Sequence, residues 1–264
     1  MTDREAGPLV GKIALISGGS SGIGLAIGHR LSQAGARVAL VGRSDRTKVT
    51  MAANSITGEG GEAMPFLADM GSPDEIETLV GDVTSIMGDI DILVNSAGVW
   101  FPSPIVGLSN DQIDEMVQIN LNAPIRMVAA VAPGMIERRS GQIVNIASIA
   151  ASAPTAGFSL YATTKAALVA FTKAASLELA PFDVAMNCIS PGNTTTPMNE
   201  HVRVDPAYSA QRERITRITP SSRMFTPAEE IAEAAMFLVD GRVKGMYGTN
   251  ISIDEGRSAG LTAM

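Results

Sequence analysis

Seven short apolar runs punctuate the chain, at Lys12–Ser17, Arg37–Val41, Ala63–Leu67, Ile90–Asn95, Gln142–Ala147, Val184–Ile189 and Thr249–Ile253, and longer segments separate them. Several of these runs are apolar throughout instead of alternating, the pattern of parallel strands covered on both faces. After the first run, Ile23, Ile27, Leu31 and Ala34 recur at helical spacing, and Gly35 suits the stop. Ser72-Pro73-Asp74-Glu75 and Thr226-Pro227-Ala228-Glu229 each read as an N-cap, a proline at N1 and a capping-box glutamate. Ser109-Asn110-Asp111-Gln112 reads as a third capping box. Strand–helix alternation of this kind predicts an α/β fold, a doubly wound parallel sheet with helices on both faces, in a single domain over 1–264. The long strandless stretch from Gly192 to Phe225 predicts helices of its own and a lid at about 193–225.

Composition narrows the possible chemistry. With 20 Lys plus Arg against 27 Asp plus Glu the formal charge is -7, which argues against nucleic acid as a partner. Cys188 is the only cysteine, and His29 and His201 are the only histidines, so no disulfide framework and no Cys- or His-rich metal centre is expected. The opening Met1–Pro8 is polar, and the first apolar run is shorter than a signal peptide or a membrane span requires. The expectation is a cytoplasmic protein with no membrane segment and no catalytic metal.

The first strand runs directly into Ser17-Gly18-Gly19-Ser20-Ser21-Gly22-Ile23-Gly24, and the first helix follows. A strand, a glycine-rich turn and a helix N-terminus together form an anion site, because free N–H groups and the helix dipole point at the ligand. The plainer alternative is a flexible connection; position between strand and helix favours dinucleotide binding. The second strand ends at Gly42-Arg43, where an NAD site would carry a carboxylate for the ribose 2′-hydroxyl. A guanidinium there matches a 2′-phosphate, so NADP is favoured over NAD, with Arg43 as a solvated turn residue the alternative.

Tyr161 and Lys165 fall at i and i+4 in a segment, Phe158–Leu179, free of glycine and proline, and so share one helix face. A neighbouring ammonium favours the phenolate, which makes the tyrosine a usable acid or base. Taken with Asp69, Asn95-Ser96-Ala97-Gly98, Asn120, Ser148 and Pro191-Gly192 in that order, the chain resembles a single-domain short-chain dehydrogenase/reductase from Gly11 to about Gly256. Departures are small: Ser17, Ser96 and Asp254-Glu255-Gly256 stand where Thr, a second Asn and Asp-Gly-Gly are commoner.

The resemblance implies a Rossmann-like fold and hydride transfer between NADP(H), alternatively NAD(H), and an alcohol or carbonyl substrate. By it, Tyr161 is the general acid or base and Lys165 lowers its pKa and holds the nicotinamide ribose. Ser148 binds the substrate oxygen, and Asn120 anchors a water that extends the proton relay. The implied cofactor contacts are Gly18, Ser20, Ser21, Gly22, Ile23, Gly24, Arg43, Asp69, Met70, Asn95, Ala97, Gly98, Tyr161, Lys165, Pro191, Gly192, Thr194 and Thr196. Trp100, Phe101 and the Ile149–Phe158 stretch are candidate walls of an apolar pocket. Arg203, Arg212, Arg214, Arg217 and Arg223 in the lid region read as a solvated face or as recruiters of an anionic substrate, and a 3-oxoacyl thioester reductase is an alternative of the same chemistry. A homo-oligomer, tetramer or dimer, is implied by analogy.

Overall fold

The computed structural model describes residues 7–260; the opening residues 1–6, read above for targeting, lie outside the described residues. Seven strands, β1 (Ile13–Ser17), β2 (Arg37–Gly42), β3 (Glu62–Leu67), β4 (Ile92–Asn95), β5 (Gly141–Ile146), β6 (Val184–Pro191) and β7 (Asn250–Ile253), form one parallel sheet in the order β3-β2-β1-β4-β5-β6-β7. Mostly apolar runs become inner strands: β1, β4 and β6 are buried along their whole length, Asn187 of β6 included. The edge strands β3 and β7 keep exposed positions, as one open side allows.

Alternate strand residues feed two cores. Ile16, Leu40, Val94 and Val144 pack beneath α1 (Gly22–Gln33), α2 (Arg46–Gly58) and α9 (Ala228–Val239). Leu15, Val41, Leu93 and Ile143 face α3 (Pro73–Met87), α5 (Ala123–Arg138) and α6 (Ser159–Leu179). The apolar stripe of α1 falls inward, with Ile27 and Leu31 inaccessible, and Gly35 turns the chain at φ +100°.

Two of the three expected capping boxes differ in detail. At α4 (Asn110–Val117) the box closes both ways, Gln112 N–H donating to Ser109 Oγ at 3.3 Å and Ser109 N–H to Gln112 Oε1 at 3.1 Å. At α3 Ser72 does cap, but Glu75 turns away to accept from Asp69 N–H at 2.8 Å. At α9 Pro227 is itself the N-cap, because the buried Thr226 hydroxyl donates instead to Glu255 Oε1 at 2.8 Å. A buried hydroxyl gains more from a carboxylate than from one amide.

Helix α4 continues through one π turn, Gln118–Asn122, into α5. The joined helix, Asn110–Arg138, is long and apolar enough to cross a membrane by length and composition. Its apolar side instead serves the core, where Met116, Met127 and Met135 are inaccessible. Between β6 and α9 the chain forms the short helices α7 (Glu200–Val204) and α8 (Ser209–Arg217), as the strandless stretch predicted.

Candidate active site

Strand β1 pairs with both β2 and β4, so the connections leaving these strands diverge to opposite faces and open a crevice at their C-terminal ends. A cleft of about 810 Å³ occupies it and runs from Arg43 at one end to Arg257 at the other. Ser17 ties its floor together, its Oγ accepting from Ser96 N–H and Ala97 N–H, both at 3.2 Å. The serine hydroxyl thus fixes the turn after β1 against the turn after β4.

The glycine turn is built as the sequence spacing requires. Gly18 holds φ +67° with its backbone against Ala97, where a side chain would fall 2.8 Å from the Ala97 amide nitrogen. Gly24 packs α1 onto the turn, and a Cβ there would overlap the Gly18 carbonyl. Ser21, the N-cap of α1, makes no side-chain capping bond, and no acidic residue stands in the first turn. Ser20, Ser21, Gly22 and Ile23 line the cleft, so the helix start presents unclaimed N–H donors and the positive end of its dipole to whatever enters. This arrangement fits a dinucleotide diphosphate.

At the end of β2, Gly42 and Arg43 line the same cleft with Asp69 and Met70. Arg43 Nε and Nη2 both donate to Asp69 Oδ2 at 3.1 Å, and Asp69 Oδ1 accepts from Gly71 N–H at 2.8 Å. Ala97, Gly98, Pro191, Gly192, Thr194 and Thr196 complete the wall toward the catalytic end. Two of the expected contacts stand behind it. Gly24 acts through packing, and Asn95, only 2% exposed, donates Nδ2 to Asn145 Oδ1 at 2.8 Å. Asn145 in turn donates to Thr172 Oγ1 at 2.9 Å, so a polar strut crosses β4, β5 and α6 beneath the cleft.

At the other end Ser148, Tyr161 and Lys165 share one wall. Ser148 follows β5 in extended backbone, with its Oγ accepting from Ala150 N–H at 3.1 Å. Lys165, 5% exposed, donates Nζ to the Ile146 carbonyl at 2.8 Å and stands 5.8 Å from the centre of the Tyr161 ring. Burial pushes its ammonium down to about 8, the Cys188 thiol pulling the other way. Cys188 itself is pushed up to about 11 by burial. The sequence leads one to expect a lowered Tyr161 pKa; the structure corrects this. Burial raises the phenol above its ordinary value, and the Ser148 hydroxyl only partly offsets it. The ammonium is directed at a main-chain carbonyl, not at the phenol oxygen.

Asn120 sits in the π turn that joins α4 to α5. Its side chain is inaccessible and spent on Val99, accepting from the amide at 2.8 Å and donating to the carbonyl at 2.9 Å. It lies next to the lysine all the same, since a Cβ built on Gly98 would stand 3.2 Å from Asn120 Oδ1 and 3.6 Å from Lys165 Nζ. What Asn120 does with its amide is hold the Gly98–Val99 backbone at the cleft.

Trp100 stacks on Phe158 with ring centres 4.9 Å apart and planes 2° from parallel, and both line the cleft, whereas Phe101 does not. His201 of α7 and Tyr208, just before α8, join this aromatic rim, His201 lying 6.3 Å from Trp100 and 5.0 Å from Tyr208. Sequence reasoning missed Asn145, Asn193 and Arg257. Asn145 was visible as an amide inside an apolar run. Asn193, whose buried Nδ2 has no partner among the described residues, and Arg257 carry no such signal. Among the described residues no group of three or more His, Cys, Asp or Glu gathers where a metal could bind.

Comparison with known proteins agrees with this geometry. The family profile described as short chain dehydrogenase matches residues 12–207. The 2,3-dihydro-2,3-dihydroxybenzoate dehydrogenase of Bacillus subtilis is 34% identical over 256 residues, covering 95% of this chain and 97% of the relative. A 3-oxoacyl acyl-carrier-protein reductase of Vibrio cholerae is 30% identical over 248 residues, 94% of this chain and 98% of the relative. Among solved structures, a gluconate 5-dehydrogenase from Burkholderia cenocepacia, in complex with NADP and tartrate, superposes with a TM-score of 0.89 at 28% identity, covering 96% of this chain and 97% of that one. The profile match, the relatives along nearly the whole chain and the seven-stranded Rossmann-like sheet lead to one conclusion: the chain belongs to the short-chain dehydrogenase/reductase family of NAD(P)-using oxidoreductases.

Proposed function

We propose that this protein is an NADP(H)-dependent oxidoreductase that interconverts a ketone and its alcohol, with Tyr161 as general acid and base. One observation carries the reading: Ser148, Tyr161 and Lys165 meet on one wall of the cleft whose far end is the glycine turn. The bound nicotinamide supplies the hydride. Ser148 Oγ and the Tyr161 phenol receive the substrate oxygen, and the phenol delivers the proton in reduction and takes it back in oxidation. A phenol held above its ordinary pKa is protonated at neutral pH, which suits it as the acid in reduction. Lys165, anchored on the Ile146 carbonyl, is set to hold the nicotinamide ribose, and Asn120 positions the Gly98–Val99 backbone. Ser20, Ser21, Gly22 and Ile23 hold the diphosphate and Arg43 the 2′-phosphate.

A second reading keeps the chemistry with NAD(H). The observation favouring it is the Arg43–Asp69 pair, since Asp69 holds the guanidinium that a 2′-phosphate would need. Dissociation constants for NADPH and NADH, from nicotinamide fluorescence at one ionic strength, decide. A tenfold preference for NADPH that Arg43→Asp abolishes supports the first reading, and equal or tighter NADH binding refutes it. Tyr161→Phe tests the catalytic part: cofactor affinity is expected to persist while turnover falls by at least 100-fold. By analogy with the family we further propose one catalytic domain with a lid at 193–225, a cytoplasmic setting, and a homo-oligomer assembled on α5 and α6; the solution mass checks the last.

A further inference from the structure

The five arginines of the lid region have separate fates. Arg203 donates to Asn199 Oδ1 and to the Thr196 carbonyl, both at 3.2 Å. Arg212 donates to the Val202 carbonyl at 2.9 Å and the Asp205 carbonyl at 2.7 Å. Arg223 is held between Glu230 and Glu255. Arg217 stands off the cleft. Arg214 alone among them lines it, and its guanidinium has no hydrogen-bond or ion-pair partner among the described residues.

Arg257 enters the same end of the cleft from the turn after β7. Its Nε is buried and has no partner among the described residues. The carboxylates nearby are already engaged. Asp254 accepts from Gly256 N–H at 3.1 Å and Ser258 N–H at 2.8 Å, and Glu255 turns the other way to Thr226, Ser221 and Arg223. Burial holds the Arg257 guanidinium below its ordinary value; Asp254 opposes that and the charge of Arg214 adds to it, so the two cations feel each other. Among the described residues Asp69 is the only carboxylate lining the cleft, and it is paired with Arg43. A protein of net charge -7 therefore turns into this cleft two guanidiniums that have no ion-pair partner among the described residues.

We propose that Arg214 and Arg257 receive a carboxylate of the substrate, so that the ketones and alcohols this protein interconverts are oxo acids and hydroxy acids. A guanidinium forms a charge-assisted, often two-pronged pair with a flat carboxylate, and like cations facing one cleft raise the local concentration of small anions. The carboxylate is a spectator in the chemistry: the carbonyl carbon takes the hydride and its oxygen the Tyr161 proton, leaving the hydroxy acid and the oxidised cofactor. This inference rests on the oxidoreductase reading above.

The test compares kcat/KM for 3-oxobutanoate and 4-oxopentanoate with their methyl esters, in the wild type and in Arg257→Gln and Arg214→Gln, at low ionic strength with NADPH and with NADH. At least one acid is expected to exceed its ester by tenfold or more, and each variant to cut that ratio at least fivefold, chiefly through KM. Arg214 is exposed, so its variant stays informative if Arg257→Gln folds poorly. Propionate is expected to inhibit ester reduction competitively, and less well in either variant. Esters that match the acids in every pair, a ratio unmoved by both variants, or inhibition by inorganic phosphate that exceeds that by propionate would each overturn the carboxylate assignment while leaving the oxidoreductase reading intact. Cofactor binding without turnover of any acid, ester or neutral ketone would instead sink the oxidoreductase reading, and this one with it.

Discussion

Lys165 gives the sharpest quantitative prediction, because its burial sets a cost with a known pH signature. A free lysine titrates near 10.5, and burial brings this one down to about 8. Between those values the unfolded chain carries a proton that the folded chain lacks, so stability rises with pH across the window. Below about 8 the ammonium is charged in both states and the full cost of burying it is felt; above 10.5 both are neutral and the cost is gone. The shift corresponds to about 3 kcal/mol over the window, a little over 1 kcal/mol per pH unit. Replacing Lys165 with Met removes the titration but keeps the apolar stem. The stability difference, Lys165→Met minus wild type, is therefore expected to stay constant from pH 6 to 7.5 and then fall by about 2 to 3 kcal/mol toward pH 10.5. Urea unfolding of both proteins at each pH measures it, and because only the difference is read, the titrations of groups not coupled to Lys165 cancel. How well Met packs against the Ile146 carbonyl sets the offset and leaves the slope unchanged. A difference that is flat across the window would refute the claim that this lysine is held charged at a cost.

Three further outcomes follow from contacts already described. Gly24→Ala forces α1 away from the Gly18 carbonyl, so thermal stability is expected to drop by the equivalent of a few kcal/mol and NADPH affinity to fall at least tenfold; a variant with native affinity would show that the turn has slack. Asn145→Leu leaves the Asn95 amide and the Thr172 hydroxyl without their shared partner, at about 2 to 4 kcal/mol by urea unfolding, and a loss under about 0.5 kcal/mol would contradict a strut that matters. Since burial raises the Tyr161 phenol, its base form grows only as pH climbs, and alcohol oxidation is expected still to be accelerating at pH 9 to 10 while reduction is level below neutrality; an oxidation rate that levels off by about pH 7 would oppose this.

The sheet was legible in the sequence because two-sided burial makes β1, β4 and β6 short, mostly apolar runs without the periodicity of an amphipathic helix. The glycine turn and the Tyr161–Lys165 pair were legible because their chemistry depends on spacing within one or two turns of chain. The strut Asn95–Asn145–Thr172 was not, because its links are made by strand pairing across 50 residues and by a helix 27 residues further on. For the same reason Thr226 was misread as a cap: the carboxylate that claims its hydroxyl lies 29 residues away. The direction of the Tyr161 shift was inaccessible too, since it weighs burial against a neighbouring charge, and a helix-face argument contains only the charge.

The aromatic rim has a practical consequence. Trp100 is the chain's one tryptophan, stacked on Phe158 at the cleft and within reach of His201 in α7. The molecule's indole emission therefore comes from a single point lining the cleft, between the Asn95–Gly98 turn and α7. Reduced nicotinamide absorbs where indole emits, so energy passed from Trp100 to a bound cofactor signals its arrival, while the unquenched component reports on the Phe158 and His201 contacts. Both signals are open to stopped-flow recording in the unlabelled native protein.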